Sequence, residues 1–417
     1  MKDTRKWTRS RVALIIFDCV LCLTVIVSSM LIVIDKSRIK NGVIYDGRDT
    51  TVTTAKPQET TKKPTGKTVS ARLMFAGDNL IHRGIFNEAE DRADGEGYDF
   101  SYAYEGIKDI ISLADLAFVN QETVINPESE ISSYPLFNSP SQVIDSLLDT
   151  GFDVFNQSNN HVLDTGVGGA QNDIKVFSDK QAMLTGLYST EDELMKAHTK
   201  EVNGIKLSFV NVTYSVGETE LTEDDDIGIL CLTDERYSQE EIDDRLKVMM
   251  TNADKTSDLI CVSVHFGDND STEPSETQQE VVDKLLGFGA DIIVGTGPQV
   301  LQPVETRKNS NDEQALVIWS LGNLISCHDS EDYLLGGIAD VMIQKDTATN
   351  KVTVSSAKMI PVITHYGEGI SNIRVIPFKD YSTDLADGHG VGIEDFYGYI
   401  DSFYTELFGN KLEKVPE

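Results

Sequence analysis

Residues 153–166 read DVFNQSNNHVLDTG. A short apolar run stops at Phe155, asparagines and a histidine follow, and a helix-like stretch, VGGAQNDIKVFSDK, begins at Val167. That is a strand handing over to a helix. Asn tolerates left-handed backbone angles and caps helices well, so a turn accounts for the residue types. Asn oxygen and His nitrogen are also donors to divalent cations, so a metal site accounts for them equally. The neighbouring segments decide between the two.

The same pattern recurs along the chain. RLMFA (72–76), DLAFV (115–119), DVF (153–155), LICVSV (259–264) and DIIV (291–294) are short apolar runs. The last four follow amphipathic stretches: YEGIKDIISLA, PSQVIDSLLDTGF, SQEEIDDRLKVMMTNADK and ETQQEVVDKLLGFGA. Buried strands alternating with helices of this length predict an α/β fold with parallel pairing. Other stretches read as antiparallel. KEVNGIKLSFVNVTY places Asn203-Gly204 between two alternating runs, a type I′ hairpin signal. ALVIWSLGN, LLGGIADVMIQKD, KVTVSSAKMIPV and IRVIPF follow one another without convincing helices, so the second half is expected to add a mixed or antiparallel sheet. FYGYIDSFYTELFG reads as a closing helix with a core-facing aromatic side.

Ligands in open α/β sheets bind beyond the carboxyl ends of the strands. Four of the five strand ends deliver Asp, Glu, Asn or His: Asp78 and Asn79, then His82; Asn120, Gln121 and Glu122; Asn159, Asn160, His161 and Asp164; and His265 with Asp268. One such residue is a turn or cap. Four sets on one edge suit a hard or borderline cation, Mn²⁺, Mg²⁺, Zn²⁺ or Fe²⁺.

The 417 residues divide by composition. Residues 1–11 are a basic tail, and 12–34 are apolar apart from Asp18, long enough to cross a bilayer as a helix. Lys2, Arg5, Lys6, Arg9 and Arg11 predict a cytoplasmic N-terminus. The apolar run is too long for a cleaved leader, and no A-x-A-like site follows it. Residues 35–70 include a Thr/Lys/Pro-rich tract that cannot bury a core and reads as a flexible stalk. Residues 71–417 then form a domain outside the cell. With 13 of 36 basic and 6 of 68 acidic residues before position 71, that domain carries a net charge of −39. Nucleic acid is excluded as a partner. Five cysteines, two of them in the apolar run, do not make a disulfide scaffold.

The blocks MFAGDNLIHRGI, ADLAFVNQETVI, FDVFNQSNNHVLDTG, CVSVHFGDNDSTEPSETQQE, GADIIVGTGPQVLQPVE and VIWSLGNLIS resemble, in order, those of the bacterial capsule-synthesis CapA/PgsA family. The likeness runs over roughly residues 71–378. It implies a calcineurin-like metallophosphatase fold, a β-sandwich with helices on both outer faces, and a part in making or exporting poly-γ-glutamate or a related surface polymer. The implied partners are the bacterial membrane, the polymer and polymer synthase subunits. The resemblance also implies metal ligands: Asp78, Glu122 near a bridging carboxylate, the pair Asn160 and His161, and the lone His265. Asp78 and His161 are its catalytic candidates.

The family's T-H-P-H-V-x-Q-P-V-E block is here TGPQVLQPVE, with Gly297 and Gln299 in place of both histidines. Two-metal hydrolysis clamps the attacking and leaving oxygens between the metals. Without those imidazoles the expectation is one divalent metal or none. His82, Asn120, Gln299, Gln302, Asn323 and His365 are the substrate-facing candidates. Three functions follow: a polymer-assembly component, a metal-dependent phosphoester or amide hydrolase with a degenerate site, and a non-catalytic binding module.

Overall fold

The βα alternation builds two sheets. The computed structural model describes residues 50–52, 67–267, 270–328 and 330–408, all within one unit, Ile44–Glu417. The apolar run 12–34 and most of the expected stalk lie outside the described residues. Among the described residues no helix is long and apolar enough to cross a membrane.

After β1 (Thr50–Val52), the chain runs through β2 (Thr68–Asn79), α1 (Arg83–Arg92), α2 (Ser101–Ile111), β3 (Leu116–Gln121), α3 (Gln142–Thr150), β4 (Val154–Asn156), α4 (Gly166–Asp179) and β5 (Met183–Thr185). The strands β2, β3, β4 and β5 pair in parallel in that order. After the short α5 (Glu191–Leu194), a second sheet begins with β6 (His198–Val202) and β7 (Ile205–Thr213). These form the hairpin expected at Asn203-Gly204. Both turn residues have positive φ, 52° and 76°, as a type I′ turn requires. Then come α6 (Gln239–Thr256), β8 (Leu259–His265), α7 (Glu276–Gly287) and β9 (Ile292–Thr296), with β7, β8 and β9 parallel. Capping boxes start both helices: Ser238 with Glu241, and Ser275 with Gln278.

The later strands divide between the sheets. β10 (Val304–Lys308) and β11 (Gln314–Ile318) extend the second sheet; β11 is antiparallel to β10 but parallel to β9, the mixed pairing allowed for in this half. β12 (Asn323–Ile325) lies parallel to β2. β13 (Leu335–Asp346), β14 (Val352–Gly367) and β15 (Ser371–Pro377) form an antiparallel meander joined to the first sheet through β13 and β2. The short α8 (Thr383–Asp387) and α9 (Phe396–Phe408) close the described chain, and α9 buries Phe396, Ile400, Tyr404 and Phe408.

The sheets pack face to face. Phe118 on β3 stacks on Phe209 of β7 with ring centroids 6.2 Å apart, and Phe75 of β2 lies 5.8 Å from Phe118. On the other side of β7, Val210 and Val212 meet Ile242, Leu246, Met249 and Met250 of α6. This is the period-2 alternation of a strand covered on both faces. The arrangement agrees with the expected helix-flanked sandwich of mixed sheets and brings the carboxyl ends of β2, β3, β4, β7, β8 and β9 to one edge.

Candidate functional site

Each parallel strand ends in a polar side chain buried at that edge. Asp78, Asn120, Glu122 and Asn156 have no exposed surface, and His265 has 2%. In the ladders Asp78 is opposite Asn120, Asn120 opposite Asn156, and His265 opposite Thr296. These side chains therefore form one layer.

Asp78 Oδ1 accepts from Asn120 Nδ2 at 2.5 Å, and Oδ2 accepts from the Gly297 amide at 3.0 Å. Burial raises the Asp78 pKa to about 6, against the opposing donation from Asn120, Gly297 and Thr296. His265 Nδ1 lies 3.3 Å from Asn120 Nδ2, 3.1 Å from Thr296 Oγ1 and 3.8 Å from Asp78 Oδ1, while its Nε2 lies 3.8 Å from Glu122 Oε1. Burial, and then the nearby His161, lower the His265 pKa to about 3, so this imidazole is neutral.

His161 reaches the same carboxylate from the turn after β4: its Nε2 is 4.0 Å from Glu122 Oε1. Its Nδ1 is 2.8 Å from Asp164 Oδ2, and its ring packs edge-on against Phe137 at 4.7 Å. Phe137 was not among the site candidates, and Asp164 stood among the strand-end residues without an assigned role. Asp164 carried a signal, a carboxylate three residues after a histidine in a turn; Phe137 carried none. Neighbouring Asn160 keeps Oδ1 buried without a hydrogen-bond partner among the described residues.

Of the substrate-facing candidates, Asn120 belongs to this layer. His82 stands beside it. Its Nδ1 accepts from the Cys327 amide at 3.1 Å, and its ring meets Phe137 at 5.3 Å and His328 at 5.8 Å. Burial, then His328 and His161, lower its pKa to about 4. Asn323 is in register with Asp78 and donates to Gln299 Oε1 at 3.2 Å and to the Tyr333 carbonyl at 2.9 Å. Gln302 is fully buried: Nε2 donates to the Ser271 carbonyl at 2.8 Å, and Oε1 accepts from Gln278 at 2.7 Å. Its amide is thus spent in joining α7 to the β9–β10 connection. His365 lies with Tyr381 (Nδ1 to the hydroxyl, 3.1 Å) and His389 (ring centroids 5.1 Å).

One divalent metal or none was the expectation for this edge, and neither position 297 nor 299 carries a His, Cys, Asp or Glu. Gly297 has φ +97°, and a Cβ there would stand 2.1 Å from the Phe266 carbonyl oxygen. In this backbone conformation the turn has no room for a side chain at 297. Among the described residues no group of three or more His, Cys, Asp or Glu is arranged to hold a metal ion. What the edge offers is a buried polar layer in which Glu122 stands between the imidazoles of His161 and His265, with Asp78 on the other side of His265.

An α/β sandwich with a polar strand-edge site is the class defined by these features. The chain belongs to the bacterial capsule synthesis protein family PGA_cap, whose model matches residues 72–328. It is 26% identical over 272 residues to the PGA biosynthesis protein CapA of Bacillus subtilis (strain 168), covering 63% of this chain and 66% of that one. It is 26% identical over 191 residues to the capsule biosynthesis protein CapA of Bacillus anthracis, covering 45% and 43%. The aligned part is thus just under two thirds of the first relative's length and under half of the second's. Among solved structures, a phosphatase of Mycoplasma pneumoniae shares a TM-score of 0.41 at 14% identity over 71% of this chain and 95% of that one. A Thermus thermophilus protein shares 0.34 at 10% over 69% and 98%. The fold assignment rests on the chain's own sheets, not on those scores.

Proposed function

We propose that this chain is a membrane-anchored, extracellular component of capsule or surface-polymer assembly, and that the surface around its strand-edge layer holds an anionic polymer or a partner subunit. The anchor in this reading is the apolar run 12–34. The observation that carries the reading is that the family match, residues 72–328, encloses every residue of the strand-edge layer, from Asp78 to Gly297. A polymer rich in carboxylates, such as poly-γ-glutamate, must approach a strongly acidic domain, so local cations matter. Arg83 supplies one. It is exposed next to His82, and its guanidinium lies 5.6 Å from the Phe86 ring with no carboxylate partner among the described residues. Its amide donates to Ser133 Oγ at 3.0 Å, which sets it beside the 77% exposed Tyr134. An exposed cation with an exposed aromatic on the neighbouring loop suits a chain carrying carboxylates on an aliphatic backbone.

The test is deletion of the gene followed by measurement of surface polymer, with complementation by the full chain. Loss and recovery of the polymer are expected; unchanged polymer on deletion sinks the reading. A second reading, hydrolysis of a phosphoester or amide at the cell surface, is favoured by Glu122 standing between His161 and His265. Release of product from a phosphodiester or from poly-γ-glutamate by the purified full chain, lost in His161→Ala, would favour it over assembly.

A further inference from the structure

The buried polar residues at the strand edge are joined into a single line of hydrogen bonds that crosses both sheets. Asn211 of β7 donates from Nδ2 to Asn156 Oδ1 at 2.8 Å. Asn156 Nδ2 donates to Asn120 Oδ1 at 2.7 Å, and Asn120 Nδ2 donates to Asp78 Oδ1 at 2.5 Å. All four residues are at most 1% exposed. An asparagine amide has a donating and an accepting end, so the line has a direction. A carboxylate only accepts. Asp78 therefore draws the Nδ2 of Asn120 toward itself, which turns the Asn120 oxygen toward Asn156 and the Asn156 oxygen toward Asn211. The other Asp78 oxygen accepts the Gly297 amide at 3.0 Å. Each oxygen thus accepts one N–H, and among the described residues no group of three or more His, Cys, Asp or Glu is arranged to hold a metal ion.

We infer that Asp78 is not a metal ligand in this protein but the anionic end of a side-chain relay, Asn211–Asn156–Asn120–Asp78. It sets the direction of three buried amides and pins the turn at Gly297. The backbone N–H of Gly297 does at this carboxylate what a bound cation does elsewhere: it offers positive charge. Asp78 is accordingly a positioning residue, acting on Asn120 and, through it, on His265.

The relay's direction gives a test that ligation would fail. In Asp78→Asn, one end of the new amide must face a donor wrongly, because Gly297 N–H and Asn120 Nδ2 both need acceptors. In the transposed double variant, Asp78→Asn with Asn120→Asp, direction is restored. The new Asn oxygen accepts from Gly297, its Nδ2 donates to the new carboxylate, and that carboxylate still accepts from Asn156. The full chain is to be purified in detergent as wild type, Asp78→Asn and the double variant. Melting temperature and metal content after equilibration with Mn²⁺ or Zn²⁺ are then measured. Expected is a Tm drop of about 3–6 °C in Asp78→Asn, recovery of most of it in the double variant, and the same metal content in wild type and Asp78→Asn. Should Asp78→Asn fail to fold, a folded double variant still reports the relay. One equivalent of metal lost on Asp78→Asn, or a double variant no more stable than the single, overturns the inference. Neither result depends on the capsule reading, which the deletion tests separately.

Discussion

Asp164 and His161 form a couple that aims an imidazole: Asp164 Oδ2 stands 2.8 Å from His161 Nδ1 and also accepts the Phe137 amide at 2.7 Å. One carboxylate oxygen thus orients the ring and anchors the loop whose phenylalanine packs on that ring. Asp164→Ala should cost about 1–3 kcal/mol of stability, because it strands a buried amide donor and frees the imidazole. Asp164→Asn should cost less, since its oxygen keeps one of the two contacts. Chemical denaturation of both variants checks this; equal losses would show that the side chain acts through packing alone.

Arg83→Glu should weaken binding of poly-γ-glutamate by the full chain at least ~10-fold at low ionic strength, with a smaller effect at high salt, as for an exposed charge contact. Arg83→Lys should retain part of the affinity, since a lysine keeps the charge but not the fork. Binding is read by interferometry against immobilised polymer. An unchanged affinity in Arg83→Glu removes this residue from the polymer contact.

Burial raises the Asp291 pKa to about 6, against a hydrogen bond from the Ile260 amide at 2.9 Å. The folded chain therefore holds this proton more tightly than the unfolded one. The resulting stabilisation is fully present below the unfolded carboxylate pKa of ~3.9 and is lost as pH rises through about 6. Asp291→Asn cannot titrate. It should gain about 1–2 kcal/mol on wild type between pH 4.5 and pH 7.5, read as the difference in melting at the two pH values. Parallel pH dependences in the two proteins would rule the shift out.

The aromatic stack between the sheets is a test of the core. Phe118 is 1% exposed and lies between Phe75 and Phe209. Phe118→Ala should cost about 3–5 kcal/mol through lost burial and the cavity left behind. Phe118→Leu should cost less. Urea denaturation gives both values.

Gly297→Ala tests the closed turn directly. The positive φ and the 2.1 Å approach to the Phe266 carbonyl oxygen leave no room for a methyl group. The expected loss is about 2–4 kcal/mol, from backbone strain and displacement. Gly297→His should be at least as unstable and should not restore a metal centre. A stable Gly297→His that gains a metal would contradict the closed geometry of this turn.

Much of this was legible without coordinates. RLMFA, DLAFV, DVF, LICVSV and DIIV each form a strand, because buried parallel strands are written as short continuous apolar runs. Asn203-Gly204 marked its hairpin, because only such residues adopt two successive positive φ angles cheaply. Ends of strands bearing Asp78, Glu122, His161 and His265 pointed to one edge. Less legible was the pairing of β11, whose ALVI run looks alike whether its neighbour is parallel or antiparallel, and the return of β12 and β13 to flank β2.

The sequence alone determined which residues are polar at the ends of apolar runs, because alternation and turn chemistry are local. It also placed Gly297 and Gln299 where the resemblance implies two histidines. Only the tertiary structure decided what that replacement means. Asp78 and Gly297 are 219 positions apart, and no local rule says that the amide of one will meet the carboxylate of the other. Likewise nothing local sets Asn156 beside Asn120, a substrate-facing candidate; strand register does. Direction in a buried relay is a property of several strands at once, fixed by the one member that can only accept.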